Sequence, residues 1–169
     1  MKRENHPTAE AAPLLRKEGS LVLSGSPEET FALGEKLGSS LNEGDVVLLF
    51  GGLGAGKTLL TKGILNALDF DVDEVTSPSF TLVNLYKTAG FDVYHIDLWR
   101  LDGDQDAAAA VGLDEIVEKE GSVTIIEWAD RLRDVALTEP AIVVRIEGDG
   151  FEPRKIEIQH PKRAEAVVE

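Results

Sequence analysis

The most specific chemistry in this sequence lies in Gly51-Gly52-Leu53-Gly54-Ala55-Gly56-Lys57-Thr58. Gly51, Gly56, Lys57 and Thr58 fill the pattern G-x-x-x-x-G-K-[ST], in which glycines let backbone N–H groups converge on phosphate oxygens. A helix that starts at this point adds favourable partial charge at its N-terminus. Lys57 would lie along the β and γ phosphates of a nucleoside triphosphate, and the Thr58 hydroxyl would hold a magnesium ion bridging them. The phosphate-binding set is thus Gly51, Gly52, Leu53, Gly54, Ala55, Gly56, Lys57 and Thr58, extended to Leu59 in the first helical turn. The competing reading, a glycine-rich turn before an ordinary helix, is disfavoured by the flanking pattern. Residues 46–50, Val-Val-Leu-Leu-Phe, read as a strand buried on both faces, and Leu60, Thr61, Ile64, Leu65 and Leu68 give the following segment a helical packing face.

Such a site also needs an acid at the end of a second buried strand, to hold magnesium directly or through water. Val93-Tyr94-His95-Ile96-Asp97 ends in Asp97, and Val123-Thr124-Ile125-Ile126-Glu127 ends in Glu127. The bland alternative for either is an exposed acid capping the next helix. By period two, Asp97 shares a face with His95 and Trp99. His95 reads as a partnered strand histidine rather than a base, and Trp99 and Trp128 read as packing residues. Thr76-Ser77-Pro78-Ser79-Phe80-Thr81 follows the phosphate-loop helix. Its hydroxyls, Ser77 and Thr81 among them, suit a segment that senses the γ-phosphate, although a rigid hydroxyl-rich turn has the same composition.

The elements that must position these residues follow an alternating order. Residues 20–23 read as a short strand. Ser26-Pro27-Glu28-Glu29 then offers a cap, a proline at the first helical position and a glutamate three residues after the cap, and Leu33, Leu37 and Leu41 supply the apolar stripe. Residues 69–78 form a polar connection. Residues 79–87 and 91–99 read as two strands joined near Ala89-Gly90, an antiparallel hairpin by their short spacing. Residues 102–120 read as one or two acidic, alanine-rich helices broken at Gly112, residues 123–127 as a buried strand, and residues 129–135 as a short helix. Residues 141–146 and 155–158 read as a final hairpin. This pattern predicts an α/β fold with a phosphate-loop NTPase-like central, mostly parallel mixed sheet, flanked by helices and extended by antiparallel hairpins.

Composition limits the function classes. A chain of 169 residues suits one core, so a single domain is expected over residues 20–160, with a flexible tail at 1–19 and another at 161–169. No apolar run approaches a membrane span and the first residues lack the apolar centre of a signal peptide, so a cytoplasmic, membrane-free protein is expected. Zero cysteines exclude disulfides and a cysteine nucleophile. The net charge of −14 gives a surface field that repels a phosphate backbone, which argues against unaided nucleic-acid binding.

Gly54-Ala55-Gly56-Lys57-Thr58, Ser77-Pro78-Ser79-Phe80-Thr81-Leu82-Val83, His95-Ile96-Asp97-Leu98-Trp99-Arg100-Leu101, Gly112-Leu113-Asp114-Glu115 and Ile126-Glu127-Trp128 stand in the order and spacing of the TsaE family, formerly YjeE. The resemblance covers about residues 20–160. It implies a small ATPase, with ATP and Mg2+ as ligands, that works with TsaD and TsaB homologues in making threonylcarbamoyladenosine at position 37 of tRNAs, the transfer chemistry belonging to TsaD and tRNA being met only indirectly. It further implies that Thr58 and Glu127 bind magnesium, that Asp97 lies beside the phosphates, that the hydroxyls of the Ser-Pro segment form a switch, and that Arg154 and the start of the first capped helix, near Pro27, approach the nucleotide. Gly52 departs from the family, which often carries an acidic residue there.

With the resemblance in place, Lys57, Asp97 and Glu127 are the expected catalytic set. Glu127, ending a strand beside the phosphate-loop strand, is expected to hold the ion opposite Thr58, and Asp97 to orient the attacking water or bind a magnesium-bound water. Two other classes use the same loop. A small-metabolite kinase normally brings arginines in a mobile lid, and residues 102–120 contain none. A non-catalytic nucleotide-binding module would not require a second acid.

Overall fold

The computed structural model describes residues 19–101, 103, 105–133 and 140–161. The expected tails therefore lie outside the described residues except at Gly19 and Pro161. Strand β1 (Gly19–Ser24) leads into helix α1 (Pro27–Gly38), strand β2 (Val46–Gly51) and helix α2 (Lys57–Ala67). Strands β3 (Val83–Lys87) and β4 (Asp92–Asp97), helices α3 (Ala107–Val111) and α4 (Leu113–Val117), and strands β5 (Ser122–Glu127), β6 (Ala141–Glu147) and β7 (Arg154–Gln159) follow. The strands form one 7-stranded sheet in the order β1-β7-β6-β2-β5-β4-β3. Strands β6, β2, β5 and β4 run parallel, β3 on one flank and β7 on the other are antiparallel to them, and the edge strand β1, antiparallel to β7, runs in the same direction as the core strands. The mostly parallel mixed sheet with antiparallel hairpins is the architecture expected from the sequence.

Burial explains why the phosphate-loop strand sits centrally. Val46, Val47 and Leu49 in β2 and every residue of β5 are buried, so both strands need cover on two faces. One face of the sheet packs under α1 and α2 through Val47, Leu49, Leu60, Ile64, Val93 and Ile125. The other packs Val46, Ile96, Leu98 and Ile126 against Leu113 and Ile116 of α4 and Leu132 of a short 3-10 segment, Ala129–Leu132. Among the described residues no helix is long and apolar enough to cross a membrane.

The first helix starts as its sequence dictates. The Ser26 hydroxyl accepts a hydrogen bond from Glu29 N at 3.2 Å, and the Glu29 carboxylate reaches back to accept one from Gly25 N at 2.6 Å. The contact between α1 and α2, by contrast, is made by glycines. A Cβ on Gly34 would lie 2.3 Å from Leu60 O, and one on Gly63 would lie 2.1 Å from Phe31 O. Two helix backbones in such contact leave no room for a methyl group. Gly63→Ala is therefore expected to lower stability by roughly 2–3 kcal/mol despite alanine's better helix propensity, read as a lower urea midpoint. An unchanged midpoint would mean that the helices can separate at little cost.

Three expectations are corrected. Residues 79–82 are a turn rather than strand, because Leu82 has φ +65° and its N–H donates to Pro78 O at 2.7 Å, so β3 starts only at Val83. Strand β4 stops at Asp97 rather than at residue 99, because Asp97 Oδ1 accepts the Trp99 N–H at 2.8 Å and turns the chain. Ala129–Leu132 is one short 3-10 turn, and residues 134–135 of the expected helix lie outside the described residues. The acidic segment forms two short helices that meet at Gly112, whose φ of +65° provides the break.

Candidate nucleotide-binding site

The loop after β2 takes its shape from positive-φ glycines, Gly54 at +73° and Gly56 at +108°, the latter delivering the chain directly into α2. No side chain caps α2, so the first-turn N–H groups are free for an anion. Lys57, the first residue of the helix, is 5% exposed. Its ammonium donates to Gly51 O and Gly52 O, at 2.7 Å each, and lies 3.9 Å from the centre of the Trp128 ring. Burial pushes its pKa below the ordinary 10.5, while the carboxylates of Glu127, Asp97 and Asp130 act in the opposite direction.

Two carboxylates from neighbouring parallel strands face this lysine. Asp97 and Glu127 are register partners between β4 and β5, and both are buried. Glu127 Oε2 accepts the Thr58 hydroxyl at 3.0 Å, and Glu127 Oε1 lies 2.7 Å from His95 Nε2. Asp97 Oδ2 accepts the Ser77 hydroxyl at 2.8 Å. Lys57, Thr58, Ser77, Asp97 and Glu127 thus line one cleft of about 420 Å³, together with Leu53, Gly54, Gly56 and Leu59. That size is in the range of small-molecule sites.

A second hollow of about 430 Å³ opens across the loop, and Pro27, Ala55 and Arg154 line it with Gly54, Gly56 and Leu59, which face both hollows. Arg154 does not point into open space. Its guanidinium donates to Ala55 O at 3.0 Å and Gly54 O at 3.2 Å, clasping the loop from the final hairpin. Gly51 and Gly52 border a separate groove beside Arg145 and Glu147. Close approach explains Gly51, where a Cβ would lie 2.9 Å from Ile146 O, whereas Gly52 has open space around it. Thr81 stands apart from the set: its hydroxyl donates to Asn84 Oδ1 at 3.1 Å, and it lines neither hollow.

His95, which the sequence reads as a partnered strand histidine rather than a base, is fully buried and bonded to Glu127. Period two put it on the face of Asp97, but its partner belongs to another strand. The sequence also reads Trp128 as packing. The ring does pack against Trp99 in a tilted arrangement, with centroids 4.3 Å apart, and it additionally carries the Lys57 ammonium.

The donor chemistry fits magnesium. Thr58 and Glu127 present hard oxygens side by side, with Asp97 in the same cleft. Among the described residues no cluster of three or more His, Cys, Asp or Glu could hold a metal alone. An ion here would need phosphate oxygens and water to complete its shell, which is how magnesium is usually bound.

A mostly parallel α/β sheet whose central strand runs through a G-x-x-x-x-G-K-T loop into a helix defines a phosphate-loop NTPase-like protein. The family model described as threonylcarbamoyl adenosine biosynthesis protein TsaE matches residues 24–156, and the chain belongs to that family. A protein of Rickettsia felis named tRNA threonylcarbamoyladenosine biosynthesis protein TsaE is 35% identical over 127 residues, covering 75% of this chain and 72% of the relative. A Bacillus subtilis protein of the same name is 34% identical over 131 residues, covering 78% and 79%. The crystal structure of Bacillus subtilis YdiB superimposes with a TM-score of 0.63 at 30% identity, over 85% of this chain and 86% of that one.

Proposed function

We propose that this chain is a magnesium-dependent ATPase that acts with TsaD and TsaB homologues in forming threonylcarbamoyladenosine at position 37 of tRNAs. The observation that carries the reading is the contact between Thr58 Oγ1 and Glu127 Oε2 at the uncapped start of α2, a hydroxyl and a carboxylate side by side where a phosphate-loop protein holds its ion. In this reading the loop N–H groups and Lys57 bind the phosphates, Lys57 exchanging the Gly51 and Gly52 carbonyls for phosphate oxygens. The nucleoside extends across the loop toward Pro27 and Arg154, and Arg154 braces the loop through its carbonyls. Thr58 and Glu127 hold magnesium, which supplies charge neutralisation on the phosphates. Asp97, fixed by the Trp99 N–H and the Ser77 hydroxyl, orients the attacking water, and Ser77 couples the segment after α2 to that acid. Residues 20–160 act as one domain.

The net charge of −14 supports contact with tRNA through the partners. Incubation with ATP and magnesium, alone and then with the TsaB and TsaD homologues, tests the reading. Turnover that appears or rises strongly with the partners is expected, and no turnover in any combination would refute it. A tight, salt-sensitive complex of this chain alone with tRNA would count against indirect contact.

A further inference from the structure

The Glu127 carboxylate is fixed at both ends. Thr58 at the start of α2 holds Oε2, while His95 from β4 holds Oε1 at 2.7 Å. His95 and Glu127 lie on one face of adjacent parallel strands, His95 being paired with Ile125 in the register and so two residues before Glu127. Both the His95 and Glu127 side chains are almost inaccessible, at 0% and 3% exposure, so water cannot take over the bond between them. The imidazole's other nitrogen, Nδ1, is buried with no hydrogen-bond partner among the described residues.

Those facts select a tautomer. A proton on Nδ1 would be a buried donor with no acceptor, at a cost of about 1–3 kcal/mol. A proton on Nε2 meets a carboxylate oxygen at hydrogen-bond distance. The ring therefore donates Nε2–H to Oε1, and Nδ1 is left as a bare acceptor.

If His95 only filled space, an aliphatic side chain would serve as well, since its neighbours on this side of the sheet include Val93, Val123 and Ile125. Its single hydrogen bond instead goes to the proposed metal ligand. A carboxylate tied at Oε2 alone could still rotate about its side-chain torsions, and the second bond removes that freedom before any ion arrives. The groups that orient a metal ligand typically contribute 10- to 100-fold to metal affinity or activity.

We infer that His95 is a positioning residue, holding Oε1 of Glu127 so that Oε2 stays directed at the Thr58 hydroxyl and is preorganised for magnesium. The inference rests on the magnesium-dependent reading above. His95 touches neither nucleotide nor reacting water in this role, and it acts only through Glu127.

The test uses binding rather than turnover. The full chain is titrated with magnesium in the presence of a fluorescent, non-hydrolysable ATP analogue, and analogue affinity is measured separately in EDTA. His95→Leu is expected to weaken magnesium affinity by roughly 10- to 100-fold while leaving affinity in EDTA unchanged. His95→Gln, which keeps an N–H donor near the same place, is expected to recover most of the loss. Wild-type magnesium affinity in His95→Leu would overturn the inference, as would an equal loss with and without magnesium, which marks a structural role only. Magnesium independence in the unmutated chain would instead sink the functional reading, and this inference with it. Should His95→Leu not fold, long-range 1H–15N NMR of the native imidazole decides: the Nε2–H tautomer supports the inference, and the Nδ1–H tautomer overturns it.

Discussion

Lys57→Ala is expected to lower ATP turnover by about a hundredfold or more while the protein stays folded. Lys57 is the one cation built into the loop, and the Glu127, Asp97 and Asp130 carboxylates that surround it would otherwise repel an incoming triphosphate. Without its ammonium, the developing charge on the transferred phosphoryl group in the proposed reaction would lose a fixed compensating cation. The fold should tolerate the change, because the lysine's partners, Gly51 O and Gly52 O, belong to residues that solvent reaches. Full activity in purified, folded Lys57→Ala protein would remove the basis of the proposed function. A second signature comes from proton linkage. Burial lowers the pKa of Lys57, so between that lowered value and 10.5 the unfolded chain binds more protons than the folded one. Stability should therefore rise with pH across that alkaline interval, and the rise contributed by Lys57 should be missing from urea titrations of Lys57→Ala.

The loop was legible in the sequence because its signal is local. Glycine spacing, an apolar run and a helical packing face all fall within about twenty residues, and each constrains the others. What depends on pairing between distant segments was not legible. The short link between β3 and β4 shows that they pair with each other, but nothing in residues 92–97 shows that β4 also pairs in parallel with β5. That second pairing sets Asp97 beside Glu127 and His95 against its carboxylate. Without it, Asp97 could not be located relative to the loop, and His95 had no visible partner.

The helix layer shows a different limit. A stripe of Leu33, Leu37 and Leu41 predicts an amphipathic α1, and Leu37 and Leu41 are indeed buried. Yet the closest contact with α2 is made by Gly34 and Gly63, which add nothing to a hydrophobic pattern and reveal their role only when another backbone lies against them. Leu82 and Trp128 are hidden for a related reason. Both take positive φ, at +65° and +57°, a conformation that neither residue type signals. Leu82 thereby ends the turn that keeps residues 79–82 out of β3. Trp128 turns the chain after Glu127, with its ring under the Lys57 ammonium.

The two acids should respond differently to isosteric substitution, because the structure lets each amide keep the local hydrogen bonds while removing the charge. In Glu127→Gln the amide oxygen can still accept from His95 Nε2–H, and the amide nitrogen can donate to the Thr58 hydroxyl, which reverses its role. The carboxylate oxygen facing Thr58 is then gone, and magnesium-dependent nucleotide binding and hydrolysis should fall together. In Asp97→Asn the amide oxygen can accept the Trp99 N–H and the amide nitrogen can donate to the Ser77 hydroxyl, so the turn after β4 survives. What is lost there is a negative acceptor for the attacking water's proton. Nucleotide binding should stay near the unmutated value, and single-turnover hydrolysis should drop by roughly a hundredfold or more. Equilibrium titration with ATP and magnesium, followed by single-turnover hydrolysis, separates the two effects. If Asp97→Asn loses metal-dependent binding while Glu127→Gln loses only turnover, the two roles are reversed, and the ion belongs on the Ser77 side of the cleft instead of between Thr58 and Glu127.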